Sequence, residues 1–118
     1  MNGVLILAHG SRARKTEETL NKVVDMVRAK LPEHIIEIAY MEFSDVNIAM
    51  GLDNMVNQGI TNIKVVPYFL FEGIHIKEDI PNELAEYLKE HEGITVTMAS
   101  TLGADERLAD IVVDRILG

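Results

Sequence analysis

Two histidines are the residues best placed to do chemistry in this 118-residue chain. His9 follows the apolar run Val4-Leu5-Ile6-Leu7-Ala8 and opens the turn His9-Gly10-Ser11-Arg12. His75 follows the run Ile63-Lys64-Val65-Val66-Pro67-Tyr68-Phe69-Leu70-Phe71, after Glu72-Gly73-Ile74. Imidazole is the commonest metal ligand and a proton acceptor near neutral pH. Apolar runs of this type read as central strands of a parallel sheet, buried on both faces. In open α/β sheets ligands bind beyond the carboxyl ends of the strands, which is where both imidazoles fall. The two are too far apart in sequence for a zinc-finger type of pair. Any joint site must be made by the fold.

Other groups cluster around these positions. Glu42 follows the second apolar run and Glu72 the third, so either carboxylate could steer a cation or take protons at the same rim. Arg12, Arg14 and Lys15 form the densest basic cluster, beside His9, and Lys77 lies near His75. Positive charge gathered there could hold carboxylate groups of a ligand. Gly10-Ser11-Arg12 lacks the spacing of a phosphate loop. Ser11 has no base and acid partner of triad type, which argues against a serine hydrolase. His34 and His91 stand at helix ends, where a cation suits the helix dipole, and read as surface residues. Met26, Met50, Met55 and Met98 read as packing residues.

The elements that must position these groups alternate along the chain. Strands are expected at Val4–Ala8, Ile35–Met41, Ile63–Phe71 and Ile94–Met98. Helices are expected at Lys15–Lys30, Asp45–Gln58, Asp79–Glu90 and Asp105–Leu117. Pro32 stops the first helix. Ser44 looks like the N-cap of the second and Gly59 its C-terminal stop. Pro81 suits the first turn of the third, which leaves His75 in a loop. Pro67 is an awkward residue within the third strand. The order βαβαβαβα implies a parallel sheet with helices on both faces, joined by right-handed crossovers. The expected fold is a three-layer α/β sandwich with strand order 2-1-3-4, as in flavodoxin-like folds. That order sets the His9 and His75 strand ends side by side.

Length implies one domain, residues 1–118. Composition is that of an ordinary globular chain, 47% hydrophobic and 25% charged. The absence of cysteine excludes disulfides and thiolate metal sites and is compatible with a reducing cytoplasm. The apolar runs are far short of the ~20 residues that span a bilayer, and no export signal is recognisable. A formal net charge of −8 argues against nucleic-acid binding.

Taken in order, Leu7-Ala8-His9-Gly10-Ser11-Arg12, Val65-Val66-Pro67-Tyr68-Phe69-Leu70, Gly73-Ile74-His75, Glu78-Asp79-Ile80-Pro81 and Leu102-Gly103-Ala104-Asp105 closely resemble the small, CbiX-type sirohydrochlorin cobaltochelatases. The resemblance runs over essentially the whole chain. It implies an ATP-independent class II chelatase that inserts a divalent metal into sirohydrochlorin, on the way to a cobalamin-type cofactor. Cobalt is the leading substrate metal, with nickel or iron as alternatives, and no tightly bound cofactor is implied. His9 and His75 match the family's two catalytic, metal-binding histidines, and Glu42 matches an acidic position near them. Gly10, Ser11 and Arg12 would contact the tetrapyrrole. A cytoplasmic homodimer is expected, because one small domain offers only a shallow crevice to a macrocycle. A histidine phosphatase would need arginine where Ala8 stands. A non-catalytic metal or tetrapyrrole carrier would use the same two histidines.

Overall fold

The computed structural model describes residues 2–118, apart from the side chain of His75. Four strands form one parallel sheet: β1 (Asn2–Ala8), β2 (Ile35–Tyr40), β3 (Asn62–Pro67) and β4 (Thr95–Met98). Their order is β2-β1-β3-β4, the order expected from flavodoxin-like folds. In register, Leu7 faces Ala39 on one side and Pro67 on the other. The residues after β1 therefore emerge between those after β2 and those after β3.

The two faces are covered unequally. Helix α1 (Arg14–Lys30) buries Leu20 and Val24 against Ile6, Ala8, Ile36 and Tyr40. Helices α2 (Ile48–Val56) and α3 (Ile80–Lys89) cover the opposite face, where Leu5, Leu7, Ile63 and Val65 meet Leu52, Met55, Ile80 and Leu84. The alternation of β1 and β3 between these two clusters is the period-2 pattern expected of a sheet buried on both faces. Gly51 in α2 lies so close to the sheet that a Cβ there would stand 2.8 Å from Leu5 Cδ1. A glycine within a helix costs stability, and this close approach accounts for it.

Several boundaries differ from expectation. Helix α2 begins later than the sequence suggests. Asn47 caps it by accepting from the Met50 N–H, while the Ser44 hydroxyl accepts from Val46 N–H within the preceding loop. Strand β3 ends at Pro67 instead of running to Phe71. Tyr68 N–H donates to the Leu7 carbonyl. By alternation, position 67 is where an N–H would extend the β4 ladder past the Ala99-to-Val65 bond. Proline has no N–H to give, so the ladder stops and the chain turns. Met55 is buried and Met98 packs against the core as expected, but Met26 and Met50 are exposed.

Two further differences bear on function. Residues 75–79 are no loop: they form a π-helical turn, His75–Asp79, that runs directly into α3. Pro81 offers no N–H to the carbonyl four residues earlier and its ring crowds that carbonyl. A widened turn immediately upstream relieves both problems. The last helix, α4 (Glu106–Leu117), covers neither sheet face. It has no buried residue, and Ile111, Val112, Val113 and Ile116 are all exposed. The radius of gyration is 15.0 Å, against about 13.5 Å for a compact chain of this length. That excess fits a helix standing away from the body.

Candidate functional site

The site lies at the carboxyl edge of the sheet, beyond β1, β2 and β3. His9 is the first residue after β1, with an exposed side chain. Its ring stands edge-on to Phe69, centroids 4.4 Å apart at 74°. Phe69 is 8% exposed and belongs to the core, so a fixed wall holds one side of a solvent-facing imidazole. Phe69 is itself held by its backbone, since Leu102 N–H donates to its carbonyl at 2.9 Å.

The turn after His9 is built for close approach. Gly10 has φ +91°, in the left-handed region, and a Cβ there would overlap the Glu42 carbonyl oxygen. Glycine alone satisfies both conditions without strain. Two amides of the post-β2 loop bond to this turn: Met41 N–H to the Ala8 carbonyl and Glu42 N–H to the His9 carbonyl. Tyr40 N–H donates to Val46, which closes the same loop. The Ser11 hydroxyl accepts from Ala13 N–H and pins the approach to α1. The Glu42 side chain is exposed and makes no hydrogen bond or ion pair among the described residues.

Residue 75 comes to the same edge by a different route. Gly73, Ile76 and His9 together line a hollow of about 440 Å³ with Tyr68, Phe69, Leu70 and Phe71. Ile76 and Lys77 both donate to the Gly73 carbonyl, which starts the helical turn that carries position 75. The backbone thus brings position 75 to the hollow that His9 lines; the His75 side chain lies outside the described residues. Among the described residues no three metal-ligating side chains converge.

Other sequence candidates separate. Arg12 stacks its guanidinium over Phe43, 4.9 Å from the ring centroid. Lys15 instead lines a hollow between α1 and the sheet, with Ala8, Thr19 and Tyr40. Glu72 lines a larger groove of about 1010 Å³ between the post-β3 loop, residues 100–105 and α4. That groove is the larger of the two and does not reach His9. The smaller hollow is the chemically equipped one, and they share only Leu70 and Phe71. His91 is structural: it stacks on Tyr87 at 3.8 Å, and its Nδ1 lies 2.7 Å from the Tyr87 carbonyl. Among the described residues the Nδ1 of His34 is buried without a partner.

Sequence reasoning missed Phe69 and Phe43. Phe69 read as a strand residue, because Pro67 was the only sign that the strand ends early. The signal for Phe43 was an aromatic residue set between the polar Glu42 and Ser44 in the loop after β2.

A family model described as CbiX matches residues 3–117. The chain is 37% identical over 115 residues to the chloroplastic sirohydrochlorin ferrochelatase of Arabidopsis thaliana, covering 98% of this chain and 51% of that protein. It is 30% identical over 142 residues to the sirohydrochlorin cobaltochelatase of Methanococcus aeolicus, covering 100% and 99%. Among solved structures, a cobalamin (vitamin B12) biosynthesis CbiX protein from Marinobacter aquaeolei VT8 superposes with TM-score 0.81 at 28% identity, covering 98% of this chain and 94% of that one. The sirohydrochlorin chelatase SirB from Bacillus subtilis subspecies spizizenii, in complex with cobalt, superposes at 0.89 with 30% identity, covering 98% and 49%. This chain thus spans about half the length of the ferrochelatase and SirB relatives, and nearly all of the archaeal cobaltochelatase.

Proposed function

The chain belongs to the CbiX family, and from that premise we propose that it inserts a divalent metal into sirohydrochlorin without ATP. Co²⁺ is the leading substrate metal, with Ni²⁺ and Fe²⁺ as alternatives. One observation carries the reading: His9 lines one hollow together with Gly73 and Ile76, which flank position 75, at the carboxyl edge of adjacent strands. Relatives named for cobalt and for iron chelation support the substrate class.

Insertion replaces two pyrrolic N–H protons by one M²⁺ and releases two H⁺. The protein must accept those protons and deliver a partly dehydrated ion. In this reading His9 and His75 hold the incoming metal, and as it passes to the macrocycle the ring nitrogen that each imidazole frees accepts one of the two pyrrolic protons. Neutral imidazoles bind first-row divalent ions yet lack the grip of thiolates, so the ion can pass on to the macrocycle. Glu42, exposed and tethered through its backbone to His9, is a second proton acceptor. The Gly10 and Ser11 turn and the Arg12 guanidinium face the carboxylates of the macrocycle. No resident cofactor enters the scheme.

We further propose a homodimer in the cytoplasm. A hollow of about 440 Å³ cannot enclose a tetrapyrrole with its carboxylate arms. Helix α4 carries an unpartnered apolar face that a second copy would cover. The cysteine-free composition suits a reducing compartment.

The direct test mixes purified protein and sirohydrochlorin with Co²⁺, Ni²⁺ or Fe²⁺ and follows absorbance without oxygen. Faster insertion than the spontaneous rate, lost in a folded His75→Ala variant, is the expected result. Normal insertion by the His9→Ala/His75→Ala double variant would overturn the assignment. Stoichiometric binding with no acceleration would identify a carrier instead.

A further inference from the structure

Among the described residues Phe43 is the only non-glycine with φ in the left-handed region, at 57°. A side chain with a Cβ is disfavoured there, and a bulky one is a genuine outlier. Burial does not compensate, because the residue is 51% exposed. Strain of this kind persists only where the surroundings over-determine the backbone. Here they do. Glu42 N–H is bonded to His9, Tyr40 N–H to Val46, and the Ser44 hydroxyl accepts from Val46 N–H, so the loop is closed on both sides of Phe43.

The ring is also engaged. The Arg12 guanidinium carbon lies over it, 4.9 Å from the ring centroid, so the ring face meets the cation while the fork carries five N–H donors that can meet a carboxylate. Nothing on the molecule occupies those donors among the described residues. The strand order places this pair on the β2 flank of His9. Exposed Tyr68, Leu70, Phe71 and Ile74 stand on the β3 flank. A flat apolar body with acidic substituents, lying over His9, would meet apolar side chains on both flanks and a cation on one.

We propose that Phe43 and the Arg12 stacked on it form a recognition clamp for a planar, carboxylate-bearing macrocycle: the ring of Phe43 supports the conjugated face or edge, and Arg12 takes one peripheral carboxylate. The clamp rests on the chelatase reading and adds Phe43 to it as a specificity-determining residue.

The test is titration of metal-free protein with sirohydrochlorin, followed by its absorbance, together with separate KM values for macrocycle and metal. Phe43→Gly removes the ring and relieves the left-handed strain in one change. It is expected to melt at the wild-type temperature or higher, to bind the macrocycle at least tenfold more weakly, and to keep the wild-type KM for metal. Phe43→Trp is expected to restore affinity. Arg12→Gln is expected to bind the free acid more weakly and the fully methyl-esterified macrocycle as the wild type does. If the wild type binds sirohydrochlorin and Phe43→Gly binds it equally well, the clamp is wrong and the chelatase reading stands. If Phe43→Gly melts lower, Phe43 is a structural residue and the clamp is again wrong. If the wild type does not bind sirohydrochlorin, both readings fall.

Discussion

The carbonyl of His9 accepts a hydrogen bond from the backbone N–H of Glu42 at 3.0 Å. With the Met41 N–H bond to the Ala8 carbonyl, this contact couples the end of β1 and its turn to the loop after β2. The tight fit of Gly10 against the Glu42 carbonyl makes it possible. Gly10→Ala would place a Cβ on that carbonyl and force a side chain into φ +91°. The expected cost is about 1–3 kcal/mol of stability. Insertion should fall by more than the loss of folded protein accounts for, because the His9 backbone is displaced. Parallel thermal melts and initial insertion rates would separate the two effects.

Phe69 presents its edge to the His9 ring from within the core. Phe69→Ala should cost about 3–5 kcal/mol, as large core truncations do. Phe69→Leu keeps much of the volume and should cost about 1 kcal/mol. It nevertheless removes the flat wall beside the imidazole. The expected outcome for Phe69→Leu is a folded protein with a reduced insertion rate, measured at saturating macrocycle and metal.

Tyr87 links α3 to α2 by donating to Asp53 Oδ1 at 2.7 Å. Burial first, and then the bond to that carboxylate, hold the Tyr87 hydroxyl protonated well above the ordinary tyrosine range. The folded state therefore binds this proton more tightly than the unfolded chain. The resulting stability is fully present below about pH 10, the unfolded value, and is lost as pH rises beyond it. Tyr87→Phe should cost about 1 kcal/mol at neutral pH and flatten the alkaline fall in stability. Urea melts from pH 8 to 11 would show it. Tyr40, whose hydroxyl is likewise held protonated by burial and then by the Glu17 charge, would contribute to the slope that remains.

The apolar face of α4 has no buried residue. Ile111 is 49% exposed and Ile116 74%. An Ile111→Glu/Ile116→Glu variant should therefore melt close to the wild type in its core transition. It should sediment as a monomer where the wild type sediments as a dimer, and insertion should become strongly dependent on protein concentration. A dimer that survives both changes would place the interface elsewhere.

How much of this was legible in the chain follows from the range of each interaction. Apolar runs and helix stops act within a few residues, so the alternation of elements could be read directly. Right-handed crossovers then led to a parallel sheet, and the precedent of flavodoxin-like folds to strand order 2-1-3-4, which sets His9 and position 75 on neighbouring strand ends. Pro67 and Pro81 were visible, but their consequences depended on partners. Whether position 67 owes a hydrogen bond is decided by β4, and the widened turn at His75–Asp79 by the helix into which Pro81 is built.

The sequence by itself determined the α/β architecture and the two histidine positions, because periodicity, capping and chirality are local rules; the strand order came from the precedent of flavodoxin-like folds, and the structure has that order. The tertiary structure alone decided that Phe69 backs His9, that Arg12 stacks on a strained Phe43, that Glu72 faces a different groove and that α4 stands unpartnered. Each is a meeting, or a missed meeting, between segments far apart in the chain. Such outcomes are set by sheet register and loop docking, which no local pattern encodes.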